Sequence, residues 1–550
     1  MIRRQFLARA LGVVVASLGA RGAFAQHAGH DMHDMSDMSG MEGMDDMHGM
    51  HDMRGMQHMA PHAGQPAGVA LAPQNALPSG APLAALRRLA NESSDPGTFR
   101  ATLVAQPQRR QLMPGKETSF WLYGDAAQGP IVGPLIELRE EDTVEIRFVN
   151  RLPEPSTVHW HGLPVPPDQD GNPTDPVAPG ASRVYRFTVP RGSAGTYWYH
   201  PHPHMQSSEQ VYRGLAGPII VRAADDPLVA WPERHLFFTD LKLAADGSVA
   251  PNDMMDWMNG REGQFVLVNG ARRPGIVVTR DERWRVWNAC NARYLRLSLG
   301  ANYPFAQVGT DGGLLGVARD GLTELLLAPG ERAEIVVRAG QWPSQAMLSA
   351  AVYDRRKMAM THGSSLPPDP LRVLADVRFA PAGASAVPTP HVLPSTLRPI
   401  EALQPPAGSV APQKSVVFSE AMDMEAMHRP GATMHEMPAG MKFMINGATF
   451  DASRIALTSR RGDVEHWSIE NRTDMDHPFH LHGTQFQVIE REQDGKKMKE
   501  PYLAWRDTVN VQPGETVRIA TVQAIPGERM FHCHILEHED LGMMATLKVV

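Results

Sequence analysis

His532, Cys533, His534, His538 and Met543 fall within twelve residues, in the run H-C-H-I-L-E-H-E-D-L-G-M near the C-terminus. Imidazole, thiolate and thioether together are the donor set of a blue-copper electron-transfer site, which takes two His, one Cys and a weak axial Met. His538 and Met543 follow Cys533 at five and ten residues, in a loop that can fold back over the sulfur. The second His must come from elsewhere in the chain. Arg529, Met530 and Phe531 read as the end of a strand, and a strand sends successive side chains to opposite faces. Cys533 then faces away from His532 and His534, which share the other face. A metal on Cys533 would be tied by two short covalent paths to metals on its neighbours. Each of these residue types taken alone is more often a buried core side chain, so the rest of the chain decides.

Three further His-x-His pairs occur: His159/His161 in H-W-H-G, His200/His202 in Y-W-Y-H-P-H, and His480/His482 in H-P-F-H-L-H-G. One pair is weak evidence of a metal site. Four pairs, with His477 three residues before His480 and the Cys533, His538, Met543 spacing, are strong evidence. On these motifs the chain resembles the three-domain multicopper oxidases of the laccase-like superfamily, over most of residues 98–550. The resemblance implies three cupredoxin-like Greek-key β-sandwiches and four copper ions. Type 1 copper would be held by His477, Cys533 and His538 with Met543 axial, and type 2 copper by His159 and His480. One type 3 copper would take His161, His200 and His534; the other, His202, His482 and His532. The ligands come from the first and third domains, which implies a trinuclear cluster between them. Asp170, eleven residues after His159, and Glu539, directly after His538, match the family's proton-relay positions. His204 extends one run to H-P-H-P-H but lies outside the ligand pattern and reads as a supporting or surface residue.

Such a ligand set suits the reduction of dioxygen to water, which takes four electrons and four protons. Four coppers can store the electrons. The type 1 centre would accept them singly, the Cys533 link would pass them inward, and carboxylates retuned by burial and metal charge would supply protons.

The elements that must position these residues are short strands. With 550 residues the length allows about three domains at roughly 150 residues each. Residues 98–224 hold alternating or apolar runs at Val144–Val149, Val184–Val189 and Gly217–Val221. Residues 225–381 repeat the style at Phe265–Val268, Trp284–Trp287 and Ala333–Val337. Pro and Gly separate these runs, so the chain reads as all-β sandwiches. Residues 382–412, rich in Pro and Ala, read as a connector to a third domain over 413–550.

Residues 26–97 read as a disordered tail and linker. Met recurs every third residue from Met32 to Met59, among Asp, Gly, Ser and His. A period of three drifts around an α-helix but would line one side of polyproline II, and thioethers are soft ligands suited to Cu(I). A second Met-rich stretch carries Met422, Met424, Met427, Met434, Met437 and Met441 among acids, and Asp474, Met475 and Asp476 immediately precede His477. Thioether beside carboxylate suits a site that takes Cu(I), loses an electron and releases Cu(II) to harder ligands. This resembles the periplasmic cuprous oxidases of copper tolerance. A laccase-like oxidase of phenols or aromatic amines is the alternative, and a non-enzymatic copper store a third.

The first 25 residues carry Arg3 and Arg4, an apolar run from Ala10 to Ala20, and Ala23-Phe24-Ala25 as a cleavage site. This resembles a twin-arginine signal peptide, which implies the twin-arginine export machinery as a partner and a periplasmic location. The apolar run is too short to span a membrane, so no stable span is expected. Removing residues 1–25 takes away four arginines and no acid from a chain already at formal charge −7. An acidic chain is a poor nucleic-acid binder. Of the two cysteines, Cys290 reads as a small buried residue, which leaves no disulfide if Cys533 is a ligand.

Overall fold

A computed structural model describes residues 69–124, 131–339, 344–359, 364–380, 391–423, 426 and 436–550. Strands with alternating burial carry nearly all the regular structure. Thr143–Asn150 is representative: Val144, Ile146 and Phe148 are buried while Glu145 and Arg147 turn away from the core. Residues 98–222 form a four-stranded and a three-stranded sheet, 233–379 a seven-stranded and a five-stranded sheet, and 413–549 a six-stranded and a five-stranded sheet. Each pair of sheets encloses its own apolar cluster, so the fold is three consecutive cupredoxin-like β-sandwiches. The six apolar runs singled out in the first two domains fall on strands, Val189 alone lying one residue past the end of its strand.

One pairing recurs in every sandwich. An opening strand runs parallel to a strand that ends in Asn, setting Ala105 beside Asn150, Phe238 beside Asn288 and Phe418 beside Asn471. Each Asn amide donates twice. Asn150 donates to the carbonyls of Glu154 (2.9 Å) and Val177 (2.8 Å), Asn288 to Arg293 (2.8 Å) and Leu327 (3.0 Å), and Asn471 to Met475 (2.8 Å) and Val511 (2.9 Å). A buried amide has to be satisfied, so this residue pins the loop after its strand in the same way three times. In the third sandwich the pinned loop leads directly into His477.

Residues 69–97 and 391–412, whose composition suggests linkers, lie along the sandwiches instead. Ala72 donates to the Leu243 carbonyl (2.9 Å), Leu83 to Gly275 (3.0 Å), Leu89 to Leu135 (2.8 Å) and Leu397 to Gly316 (2.9 Å). Leu77, Leu86 and Leu397 are buried. Sheet edges offer unpaired backbone groups that any sequence can satisfy, and composition carries no sign of that. The Met-rich tail lies outside the described residues. Among the described residues, no helix is long and apolar enough to cross a membrane.

Candidate metal centre

The strand His477–Leu481 pairs antiparallel with Gly527–Cys533, setting Phe479 opposite Cys533 and His480 opposite His532. Alternation divides both strands alike. Phe479, Leu481, Phe531 and Cys533 enter the apolar core of the third sandwich, while His480, His482, His532 and His534 gather on the other side. On the core side, the Cys533 sulfur is 3.3 Å from His477 Nδ1, which is 3.3 Å from His538 Nδ1. Met543 closes the loop. Its carbonyl accepts the Cys533 N–H (3.0 Å) and its own N–H donates to the His538 carbonyl (2.9 Å), with its side chain fully buried. Phe443 stacks on the His538 ring at 3.9 Å. His538 Nε2–H donates to the carbonyl of Met258 (3.2 Å), in the helix Met254–Asn259 of the middle sandwich.

The eight remaining imidazoles are fully buried. Donor atoms of His161, His200 and His534 lie within 4.8 Å of one another, as do those of His202, His482 and His532, and those of His159, His161 and His480. His159 and His200 share an isolated bridge, so the first two pairs sit beyond strand ends and not within strands. The second nitrogen of each ring determines which lone pair is free. Nδ1–H of His159 donates to Asp170 Oδ1 (3.0 Å), that of His480 to the Asp507 carbonyl (2.8 Å), and that of His200 to the Pro201 carbonyl (3.0 Å). Their Nε2 atoms are buried without a partner. An orphaned buried acceptor is costly unless something fills the gap, and three aimed into one cluster fit a metal.

Burial, reinforced by neighbouring imidazoles, holds His161, His200, His202, His480, His482, His534 and His538 far below the ordinary histidine range. Burial also pushes His477 and His532 down to about 3. The rings are therefore neutral and ready to ligate. Burial raises the Cys533 thiol, so a bound cation is what would make it a thiolate.

Asp170 follows a short helix, Pro167–Gln169, and spans two ligand sets: its second oxygen accepts from His482 Nδ1 at 3.2 Å. Glu539 lies between His202 (3.5 Å) and His532 (3.4 Å). Burial raises both carboxyls above their usual range. His204 packs against Phe450 at 5.0 Å, outside these groups. Cys290 is buried and free.

The structure does not gather Asp474, Met475 and Asp476 into one group. Met475 is fully buried in the core that holds Cys533 and Met543. Asp474 is exposed, and buried Asp476 accepts from Tyr353 Oη (2.5 Å) and Asn510 Nδ2 (2.7 Å). Met422 and Met437 are half-buried and pack against the same core, together with Met254 and Met255, and Met441 is buried. Met424, Met427 and Met434 lie outside the described residues.

Sequence reasoning missed Asp507. Its side chain accepts from His161 Nε2–H at 3.0 Å, and its backbone carbonyl holds His480. It stands alone in W-R-D-T-V, with no spacing to mark it.

Comparison with known proteins decides the family. A family model described as multicopper oxidase matches residues 106–226 and a second, of the same description, residues 421–550. A multicopper oxidase of Staphylococcus haemolyticus is 32% identical over 431 residues, covering 76% of this chain and 83% of that protein. The chain belongs to the multicopper oxidases. Multicopper oxidases are copper-dependent oxidoreductases that use dioxygen as acceptor. A solved multicopper oxidase of Campylobacter jejuni, described as a metallo-oxidase, is 41% identical, with TM-score 0.80, covering 88% of this chain and 98% of that one. A laccase-like multicopper oxidase, CueO of Ochrobactrum sp., described as having oxidase activity towards lignin model compounds, is 28% identical, with TM-score 0.71, covering 85% of this chain and all of that one.

Proposed function

We propose that this multicopper oxidase oxidises Cu(I) one electron at a time at a type 1 copper and passes the electrons to dioxygen at a trinuclear cluster, in copper tolerance. The type 1 set is His477, Cys533, His538 and Met543. His159 and His480 form the type 2 set, and His161, His200 and His534 with His202, His482 and His532 form the two type 3 sets. When bound, the metals supply one-electron storage and a site for dioxygen. The protein supplies the path: Cys533 on the core face is bonded through the backbone to His532 and His534 on the other. That alternation is the observation that carries the reading. Asp170 and Glu539, protonated more readily because they are buried, would hold protons beside the ligand imidazoles.

The substrate assignment draws support from the thioethers Met422, Met437 and Met475 around the type 1 side and from the metallo-oxidase description of the Campylobacter relative. Soft thioethers favour Cu(I) over Cu(II). Arg3 and Arg4 support export by the twin-arginine route to the periplasm. A laccase-like reading, with phenols as reductant, is favoured by the Ochrobactrum relative. Turnover of the copper-loaded protein on Cu(I) and on a phenol, compared for the parent and Met475→Leu, tests the assignment. A selective loss on Cu(I) supports it, whereas equal losses on both substrates remove Met475 from the Cu(I) path.

A further inference from the structure

We propose that the middle sandwich, which supplies none of the ligand sets above, takes part in the trinuclear site through Arg332. Arg332 acts as a positioning residue: it holds Asp507, and through it the orientation and tautomer of His161 and His480. The guanidinium donates to both Asp507 oxygens, Nη1 to Oδ1 at 2.7 Å and Nη2 to Oδ2 at 2.5 Å. A two-pronged pair of this kind sets the plane of the carboxylate as well as its charge. Oδ1 so held accepts His161 Nε2–H at 3.0 Å, which leaves His161 Nδ1 as the free lone pair, 3.2 Å from His534 Nε2. His159, His200 and His480 offer Nε2 instead. His161 is thus turned the other way round from these three, and Asp507 is the group that turns it. The Asp507 backbone carbonyl fixes His480, whose ring stacks on His161 at 3.8 Å.

Arg332 itself is clamped. Its Nε donates to the Thr196 carbonyl of the first sandwich (2.9 Å) and Nη1 to the Gly330 carbonyl (2.9 Å), while its backbone N–H donates to Asp311 Oδ1 (2.7 Å). Asp311 Oδ2 also accepts from the backbone of Asp507 and Thr508, both at 3.4 Å. One side chain therefore touches all three sandwiches, with no exposure at Arg332 or Asp507. There is no slack around it: a Cβ on Gly162 would overlap Asp507 Oδ2 and come within 2.6 Å of Arg332 Nη2, and one on Gly330 would lie 2.9 Å from the His534 ring. A buried ion pair is a weak source of stability, since desolvation offsets its attraction. Its value here is directional, because outer partners of metal-binding imidazoles set ring orientation.

The proposal rests on the trinuclear ligand sets proposed above. The test is a chelator titration of the copper-loaded parent and of Arg332→Lys, which keeps the charge but loses the fork. It is followed by copper content, the type 2 paramagnetic resonance signal and the blue thiolate absorption. We expect Arg332→Lys to release its type 2 and type 3 copper at about 10- to 100-fold lower chelator concentration, with an altered type 2 signal and an unchanged blue band. Parent-like release, or loss of the blue band in parallel with the other copper, would overturn the role of Arg332. If Arg332→Lys does not fold, Asp311→Asn, which weakens the bonds that hold Arg332 and the Asp507 backbone together, loosens the Arg332–Asp507 pair without removing either side chain and is judged by the same criteria. A parent that binds only the blue copper would overturn the ligand sets themselves, a result distinct from either.

Discussion

Replacing Gly171 by Ala should displace Asp170 and uncouple two imidazoles at once. Gly171 has φ of 66°, and a Cβ there would overlap the Val158 carbonyl oxygen, lie 2.5 Å from the Val158 carbonyl carbon and 2.9 Å from the His159 nitrogen. Every one of these atoms is backbone, so no side chain can swing aside. Reaching an ordinary separation of about 3.5 Å from the Val158 oxygen moves the loop by about 1.4 Å. The Asp170 contacts to His159 (3.0 Å) and His482 (3.2 Å) would then open to about 4.5 Å, beyond hydrogen-bonding range. The left-handed backbone adds about 1–2 kcal/mol, and two hydrogen bonds to a carboxylate about 1.5–3 kcal/mol each. A total of at least about 4 kcal/mol lowers the melting temperature of the copper-free protein by roughly 4 °C or more, since about 2.1 cal/mol/K per residue over residues 66–550 gives about 1 °C per kcal/mol. Oxygen uptake by the reloaded protein should fall about 10- to 100-fold, as for other lost outer partners of metal-binding imidazoles. Scanning calorimetry and an oxygen electrode read the two effects. A variant that melts within about 2 °C of the parent and turns over normally would refute the claim that Asp170 orients these rings.

Two further perturbations probe the burial of the ligands. Burial holds nine imidazoles of the proposed ligand sets neutral, with His477 and His532 at about 3, whereas unfolded histidines take up a proton near about 6.5. A depressed histidine pKa means that the unfolded chain gains protons first, so stability is full above about pH 6.5 and falls as pH drops toward 3. The slope is up to about 1.4 kcal/mol per pH unit for each group. Urea unfolding of copper-free protein at pH 7, 6 and 5 should show midpoints that decline ever more steeply; a constant midpoint would contradict neutral buried rings. Phe443→Ala, at a fully buried ring stacked on His538, should cost about 3–5 kcal/mol and weaken the blue absorption, and an unchanged spectrum would mean that the stack does not hold His538.

The run H-C-H is legible in sequence because donor chemistry and strand period coincide there: alternation alone sends Cys533 to one face and His532 and His534 to the other. Asp474, Met475 and Asp476 lie in the bend between two strands, where no regular period says which way a side chain turns: Asp474 is exposed while Met475 and Asp476 are buried. Contacts that span the chain leave no such trace. Arg332 and Asp507 are 175 residues apart, each an ordinary charged residue in a strand-rich context. The acceptor for His538 is the backbone carbonyl of Met258, a group every residue carries. Residues 69–97 look like a linker because Ala, Pro and Gly say nothing about whether a sheet edge is waiting for them.

Because His480 stands opposite His532 and Phe479 opposite Cys533, the hydrogen-bond ladder between their two strands acts as a ruler. It keeps the sulfur of one metal set and the imidazoles of the next at a separation quantised by the rise of about 3.3 Å per residue. Slipping the register by a single residue would exchange the two faces, burying imidazoles in the apolar core and turning the thiol toward the cluster. No small drift in the distance between the two centres is available to this chain. Lengthening and shortening are tolerable only in the loops beyond the strand ends, and the proposed electron path is as rigid as the sheet that contains it.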